Sequence, residues 1–223
     1  ELLRQAQAGY YACISHVDNQ VGRLWQALDD DGCLRDTVII FCADHGDSQG
    51  CHNGMENKSG HMYDDTTKIP LMIKPPKGMA HTVTEALAST VDIYATVLDI
   101  AGYGEGYHQA GHSLLPLLAD PEAAVRDYAV CECVSAFPLI GMQRMYRRGS
   151  FKYVFNCGGS DELYDMEQDP YEMENLVDDP AHGALLREMM DGLAQAMYHH
   201  GDDNAPWYCK VNHLGDWGTQ FGK

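Results

Sequence analysis

Two neighbouring residues, Asp44 and His45, place a carboxylate next to an imidazole. Each of these groups can donate one ligand to a divalent cation. Gly46 follows them and lets the chain turn sharply away. Taken alone, the pair is also compatible with Asp44 capping the next turn and His45 forming a local hydrogen bond. The pair is therefore a candidate metal site that needs support from its surroundings.

Lys58 lies in the polar loop that follows this pair, close enough in sequence to fold back over a bound cation. Its ammonium group could neutralise charge on a leaving oxygen or hold an oxygen of an anionic substrate. His52 and His61 flank the lysine, and each could bind a substrate oxyanion or act as a general acid. The alternative is that all three are solvated loop side chains with no role in chemistry.

The elements before this loop predict how the pair is positioned. A run of apolar residues at spacings of four and three predicts one long helix, formed by Tyr10, Ile14, Val17, Val21, Leu24 and Leu28. The uninterrupted apolar run 38–43 then predicts a strand buried on both faces of a parallel sheet. Helix, strand and polar loop in this order indicate a doubly wound α/β fold, whose ligands bind at the carboxyl ends of strands. Asp44 and His45 occupy that position.

The remainder of the chain predicts a change of architecture. Residues 69–74 read as a second strand, 83–87 as a possible third, 93–101 as a helix and 113–118 as a short helical turn. Beyond an acidic, proline-containing break come four short strands and a helix, at 128–134, 142–147, 151–156, 162–165 and about 180–198. We predict an α/β part over 1–122, followed by a small α+β subdomain with an antiparallel sheet and an extended tail over 123–223.

The charge balance narrows the range of partners. With 33 acidic and 15 basic residues, the formal net charge is −18. Such a field repels nucleic acids and anionic membranes, so neither is an expected partner. No apolar run approaches the roughly 20 residues of a membrane span. An anionic substrate would need local cations, such as a metal ion and a lysine, to overcome the field.

The cysteines and the first residues suggest a compartment and a position within a longer protein. The eight cysteines show no C-x-x-C spacing, and we interpret them as reduced thiols in a cytoplasmic protein. The chain enters its first helix without an initiator Met or the layout of a signal peptide. We expect it to begin in the middle of a longer protein, which leaves secretion open.

Several ordered blocks resemble the sulfatase family of the alkaline-phosphatase superfamily. The family pattern S-D-H-G-D, G-D-H-G, K and Y-E-E-x-x-R-I-P-L is similar to residues 44–47, 50–52, Lys58 and 63–71, with about one extra residue before the lysine. Cys51, Asn53 and Lys68 depart from this pattern, although not at its core catalytic positions. Further blocks of the family resemble residues 91–102, 111–118, 152–153 and 162–176.

The resemblance implies roles for the candidate residues. Asp44 and His45 correspond to the second pair of metal ligands, and Lys58 to the lysine that contacts the sulfate and stabilises the leaving oxygen. The family's nucleophile is a formylglycine made from Cys or Ser in a C/S-x-P-x-R motif, which this sequence does not contain. We expect the nucleophile upstream, in the missing N-terminal part of the same protein, so that the chain alone is inactive. Calcium is the expected metal by family analogy; manganese or zinc is the alternative because His45 is a nitrogen ligand.

The expected activity is the hydrolysis of a sulfate monoester on a small molecule or carbohydrate. Two alternatives remain open from the sequence. The first is a phosphonate monoester or phosphodiester hydrolase of the same superfamily, which shares the Asp-His pair and the lysine. The second is a non-catalytic module that binds a sulfated ligand or a partner subunit.

Overall fold

The computed structural model describes residues 1–55, 57–58, 60–77, 82–103, 110–134, 141–215 and 217–218. Two compact units divide the chain. We call them the first unit, Glu1–Ser59 with Tyr63–Thr82, and the second unit, Gly60–Met62 with Val83–Lys223. None of the helices in these described ranges combines the length and the apolar character needed to cross a bilayer.

The first unit contains the predicted long helix and strand. Its elements are α1 Leu2–Asp30, a 3-10 turn Leu34–Asp36, β1 Ile39–Cys42, α2 Cys51–Gly54, α3 Asp64–Thr67 and β2 Leu71–Lys74. The amphipathic face of α1 is confirmed as a helical stripe, but no residue of α1 is buried in this chain. Ile14 and Val17, for example, are 50% and 51% exposed.

The pairing of β1 differs from the parallel arrangement predicted for it. β1 pairs antiparallel with β2, and Ile40 lies opposite Ile73. The residues of β1 are half-buried or exposed, so burial on both faces is wrong for the described part of this chain. An apolar run indicates that a strand faces apolar neighbours but contains no information on the direction of its partner. The Lys74 ammonium closes the ribbon by donating to the carbonyls of Leu34 and Thr37 at 2.7 and 2.9 Å.

The second unit contains the predicted helices and the antiparallel sheet. Its elements are α4 Thr90–Ile100, α5 Leu115–Ala119, β3 Tyr128–Val134, β4 Met142–Arg148, β5 Phe151–Asn156, β6 Glu162–Asp165, a 3-10 turn Pro180–His182, α6 Gly183–His200 and α7 Ala205–Val211. The possible strand at 83–87 is wrong, because this segment forms no strand. Ala86 N–H instead donates to the hydroxyl of Thr84 at 3.1 Å, a local turn that competes with extended pairing.

The core of the second unit lies between its sheet and α6. The four strands are antiparallel in the order β3-β4-β5-β6. The apolar stripe of α6 packs on one face of the sheet, and the largest fully buried side chains of this core are Tyr153, Leu163, Leu193, Met197 and Tyr208. The predicted mixed α/β fold with a small α+β subdomain is confirmed by this architecture.

A buried carboxylate links α4 to the start of β3. Asp92 closes a capping box with Ser89 at the N-terminus of α4. Its carboxylate is fully buried and forms a short ion pair with Arg126, while the backbone N–H of His112 donates to it at 2.8 Å. α4 and α5 therefore belong to the second unit, although they precede residue 122. The boundary predicted there for the whole protein stays a prediction.

Candidate active site

The loop after β1 is held against α3 by backbone contacts. Gly46 N–H donates to the Thr66 carbonyl at 2.9 Å. A Cβ atom on Gly46 would lie 1.9 Å from the Asp65 carbonyl oxygen, which is far inside van der Waals contact. Only glycine therefore allows the segment that follows Asp44 and His45 to pack this closely on α3.

The carboxylate of Asp44 is poised to stay ionised. Its Oδ1 atom accepts the backbone N–H of His45 at 2.9 Å, and its Oδ2 atom lies 3.3 Å from His45 Nε2. The hydrogen bond from the His45 backbone lowers the pKa of Asp44, and the nearby charges of His45 and Lys58 lower it further. Because the side chain is 86% exposed, its second oxygen is open to an additional ligand.

The imidazole of His45 is oriented by its other nitrogen. Nδ1 lies 2.8 Å from the carbonyl oxygen of Gly46. A carbonyl only accepts hydrogen bonds, so Nδ1 must hold the ring proton. The lone pair of the neutral ring is then on Nε2, the nitrogen beside the Asp44 carboxylate. Orientation of a histidine by a backbone carbonyl in this way is typical of metal-binding imidazoles.

Lys58 reaches the same nitrogen. Its Nζ atom lies 2.5 Å from His45 Nε2, which places an ammonium donor against the ring lone pair. The lysine follows Asn57, whose φ of 76° turns the backbone into the left-handed region. The Asn57 side chain stabilises that turn by accepting the Lys58 backbone N–H at 2.8 Å. The structure thus brings together three of the five residues singled out from the sequence, Asp44, His45 and Lys58, while their roles in chemistry stay predictions.

The donor pair fits a divalent cation. Two ligand atoms, each about 2.3 Å from one ion and at right angles, are about 3.3 Å apart. Asp44 Oδ2 and His45 Nε2 are separated by that distance. Within the described ranges, no cluster of three or more His, Cys, Asp or Glu residues has the arrangement of a complete metal site. The pair is therefore suited to supply part of a coordination shell.

His52 contacts α3 and the residue that precedes it, Tyr63. Its Nε2 atom lies 3.7 Å from Asp65 Oδ2, and its ring stacks on Tyr63 with centroids 3.7 Å apart and planes 7° from parallel. Only 13% of the His52 side chain is exposed. Sequence reasoning gave no role to Tyr63 and Asp65, although both belong to a block that resembles the family. Their place in that block was the available signal.

His61 lies in the second unit and is buried, with 6% exposure. The segment around it is anchored on the antiparallel sheet. Met62 packs with Met145 and Val154, and the Gly60 carbonyl accepts the Gln143 side chain at 3.3 Å. A substrate-binding role for His61 stays a prediction.

Known proteins are similar to this chain in sequence and in fold. Residues 3–103 match the family model described as Sulfatase. The chain is 33% identical over 189 residues to the uncharacterized sulfatase YidJ of Escherichia coli K12, covering 84% of this chain and 37% of that protein. It is 32% identical over 192 residues to the Delta 4,5-hexuronate-2-O-sulfatase of Bacteroides thetaiotaomicron, covering 80% of this chain and 39% of that protein.

Solved structures of other proteins have a similar fold. A putative sulfatase from Bacteroides thetaiotaomicron superposes with a TM-score of 0.77 at 31% identity, over 85% of this chain and 42% of the other. The structure of BT4656 in complex with its substrate D-glucosamine-2-N,6-O-disulfate superposes with a TM-score of 0.77 at 27% identity, over 86% of this chain and 40% of the other. The phosphonate monoester hydrolase of Agrobacterium radiobacter gives 0.72 at 30% identity, over 84% and 40%.

The chain belongs to the sulfatase family of the alkaline-phosphatase superfamily. This conclusion follows from the family match and from the relatives that share its sequence and fold. The chain spans 37% and 39% of the length of the two curated relatives described above.

Proposed function

We propose that the protein to which this chain belongs hydrolyses a sulfate monoester. The observation that supports this most directly is the contact of Lys58 Nζ with His45 Nε2 beside the Asp44 carboxylate. It concentrates an ammonium group and a cation-binding donor pair at one point of a chain whose net charge is −18. Local positive charge of this kind is what an anionic ester needs in order to bind there.

Each residue has a proposed task in this site. Asp44 and His45 would hold a divalent cation, for which we propose calcium, with manganese or zinc as alternatives because His45 binds through nitrogen. The cation would take the Nε2 lone pair that Lys58 faces here, and the ammonium would turn to the substrate. Bound there, the cation would act as a Lewis acid on the sulfuryl oxygens. Lys58 would donate a hydrogen bond to the departing alcohol oxygen, on which negative charge develops as the S–O bond breaks.

We propose that the nucleophile, a formylglycine, comes from a part of the protein outside this sequence. The sequence contains no Cys or Ser in a C/S-x-P-x-R context. The chain in isolation would then bind the cation weakly, through two ligands, and would show no turnover. Comparing the 223-residue chain with the longer gene product on the same aryl sulfate tests this division of labour.

For the substrate, we propose a sulfated carbohydrate. The support is the hexuronate 2-O-sulfatase among the relatives and the glucosamine disulfate complex among the solved structures. A sulfated small molecule is the alternative. Release of inorganic sulfate from sulfated disaccharides and from a simple aryl sulfate distinguishes them, because a carbohydrate enzyme should show the higher kcat/KM on the sugar.

A phosphonate monoester hydrolase is the second candidate. It is favoured by the similarity to the Agrobacterium radiobacter enzyme, at a TM-score of 0.72 and 30% identity. The test is the ratio of kcat/KM values on paired aryl sulfate and aryl phosphonate monoesters with the same leaving group. A ratio that favours the phosphonate by tenfold or more would reject the sulfatase proposal.

A further inference from the structure

We propose that His52 is a positioning residue for Lys58. By contacting Asp65 and Tyr63, it would hold the lysine loop, residues 49–55 with 57–58, on α3. The donor-pair loop, residues 43–48, rests on the same short helix. The inference deepens the proposed function and rests on it for its kinetic part only. Nothing in it requires His52 to touch the substrate.

α3 is the common support of both loops. On one side, Gly46 N–H is bonded to the Thr66 carbonyl, and Gly46 approaches the Asp65 backbone so closely that a Cβ atom would collide with it. On the other side, the Asp65 carboxylate faces His52 Nε2 at 3.7 Å. One residue, Asp65, therefore contacts the donor-pair loop through its backbone and the lysine loop through its side chain.

The backbone of the lysine loop needs such support. Gln49, His52 and Asn53 have φ values of 47°, 47° and 64°, in the left-handed region that side chains with a Cβ atom rarely adopt. The short element α2 is therefore kinked rather than a regular right-handed helix. Non-glycine residues persist there when their surroundings over-determine the conformation. For His52 those surroundings are the stacked ring of Tyr63 and the carboxylate of Asp65.

Hydrogen bonds make the segment around His52 a closed unit. Gly50 N–H donates to the Met55 carbonyl at 2.9 Å, and Met55 N–H donates to the Cys51 carbonyl at 2.8 Å. Burial, together with a hydrogen bond to Asp65 and its negative charge, raises the pKa of the neighbouring Cys51 thiol. Because these hydrogen bonds close the segment 50–55, a change in how His52 contacts α3 shifts the whole segment. Lys58 lies three residues after Met55 and would shift with it.

A direct role in substrate binding fits the geometry less well. Both the face and the Nε2 edge of the His52 ring are engaged by Tyr63 and Asp65, and 13% of the side chain is exposed. The donor pair, by contrast, is open: 86% of Asp44 and 38% of His45 are exposed. His52 therefore acts through the position of Lys58 rather than on the ester.

The first test measures the lysine without using activity. In the full-length protein, the rate of Lys58 acylation by a water-soluble N-hydroxysuccinimide ester is followed by peptide mass spectrometry. We expect His52→Ala and Asp65→Asn to raise this rate threefold or more, because the loop that fixes the position of the ammonium is no longer held on α3. His52→Gln, which keeps a donor toward Asp65, should stay closer to the parent rate. Lys210, exposed on α7, is the internal control.

The second test is kinetic. If His52 acts through Lys58, the fall in kcat for His52→Ala should grow as the leaving group becomes poorer, as it should for Lys58→Ala. The double variant should then be little worse than Lys58→Ala alone. A leaving-group-independent loss that multiplies with that of Lys58→Ala would overturn the proposal.

The two proposals fail separately. If the full-length protein does not hydrolyse sulfate esters but the acylation of Lys58 rises as expected, the sulfatase function is wrong and the positioning role stands. If the protein is active and the acylation rate of Lys58 is unchanged in both His52→Ala and Asp65→Asn, the positioning role is wrong. Should His52→Ala fail to fold, as judged by its circular dichroism, Asp65→Asn decides the same question.

Discussion

Lys58 Nζ lies 2.5 Å from His45 Nε2, although the two residues are 13 positions apart in the sequence. The contact is possible because Nδ1 of the same ring faces the Gly46 carbonyl, leaving the Nε2 lone pair free to accept. The relationship defines the candidate site more narrowly than the residue types do. It also makes the lysine, the histidine and the neighbouring Asp44 a group whose members can be tested one at a time.

Replacing Lys58 with Ala should lower kcat of the full-length protein about 100-fold or more, the typical loss for one group that stabilises developing oxyanion charge. The loss should increase with the pKa of the leaving alcohol, since a poorer leaving group depends more on the lysine. Steady-state kinetics on a series of aryl sulfates measures it. Lys210→Ala, which removes an exposed lysine on α7, should leave kcat unchanged. Equal losses for all leaving groups would contradict the assigned role.

Replacing Asp44 with Asn should weaken metal binding by roughly ten- to a hundredfold. The amide retains an oxygen but loses the negative charge that a hard cation prefers. Titration calorimetry of the full-length protein with Ca²⁺ and Mn²⁺ gives the affinities. Asp29→Asn, an exposed carboxylate of α1, is the charge-matched control. Unchanged affinity in Asp44→Asn would remove this residue from the metal site.

Replacing Gly46 with Ala should damage the site through the backbone. The added Cβ atom would lie 1.9 Å from the Asp65 carbonyl oxygen, so the donor-pair loop would have to move off α3. We expect a loss of metal affinity and a lower Tm in the same variant. Gly9→Ala in α1, where nothing lies within 4 Å, should be neutral or slightly stabilising because Ala is the better helix former. A Gly46→Ala protein with normal metal affinity would show that the close approach is dispensable.

The second unit contains a buried ion pair whose loss should be costly. Lys152 Nζ lies 2.7 Å from Glu172 Oε1, and the two side chains are 0% and 2% exposed. Glu172→Ala removes a carboxylate that faces a buried ammonium group and should cost about 3–5 kcal/mol of unfolding free energy. Urea denaturation followed by circular dichroism measures it. Arg148→Ala, which breaks the exposed pair with Glu188, should cost less than about 1 kcal/mol.

The end of α6 should make stability depend on pH. Burial, followed by the charges of His199, Arg126 and His112, lowers the pKa of His200 below its usual value of 6.5. The folded state therefore prefers neutral His200, whose Nε2 lies 3.3 Å from the Tyr128 hydroxyl. The contribution of neutral His200 to the free energy of unfolding is complete above pH 6.5. It is lost as the pH falls from there toward the lowered pKa.

Urea denaturation at pH 7.5 and at pH 5 checks this sign. The parent protein should lose more stability between these values than His200→Gln, which cannot take up the proton. His16→Gln, at an exposed position of α1, should behave like the parent. A steeper loss in His200→Gln than in the parent would show that the histidine is favoured in its charged form.

The sequence by itself determined the order and type of most elements and the residues of the donor pair. The apolar stripe that begins at Tyr10 specifies α1, and the four strands of the second unit lie at the predicted places. These features depend on local periodicity and turn chemistry, which neighbouring residues in the chain decide. Asp44 and Lys58 were found in the same way, from residue types in a polar loop after a strand.

Only the tertiary structure decided which strands pair and which side chains contact one another. The antiparallel pairing of β1 with β2, the turn of His52 toward Asp65 and the burial of His61 all depend on contacts between distant segments. A loop histidine has the same sequence signature whether its ring meets solvent, substrate or a carboxylate. Which of these the ring contacts is decided by the free energy of burial and hydrogen bonding in the folded chain, which no local pattern contains.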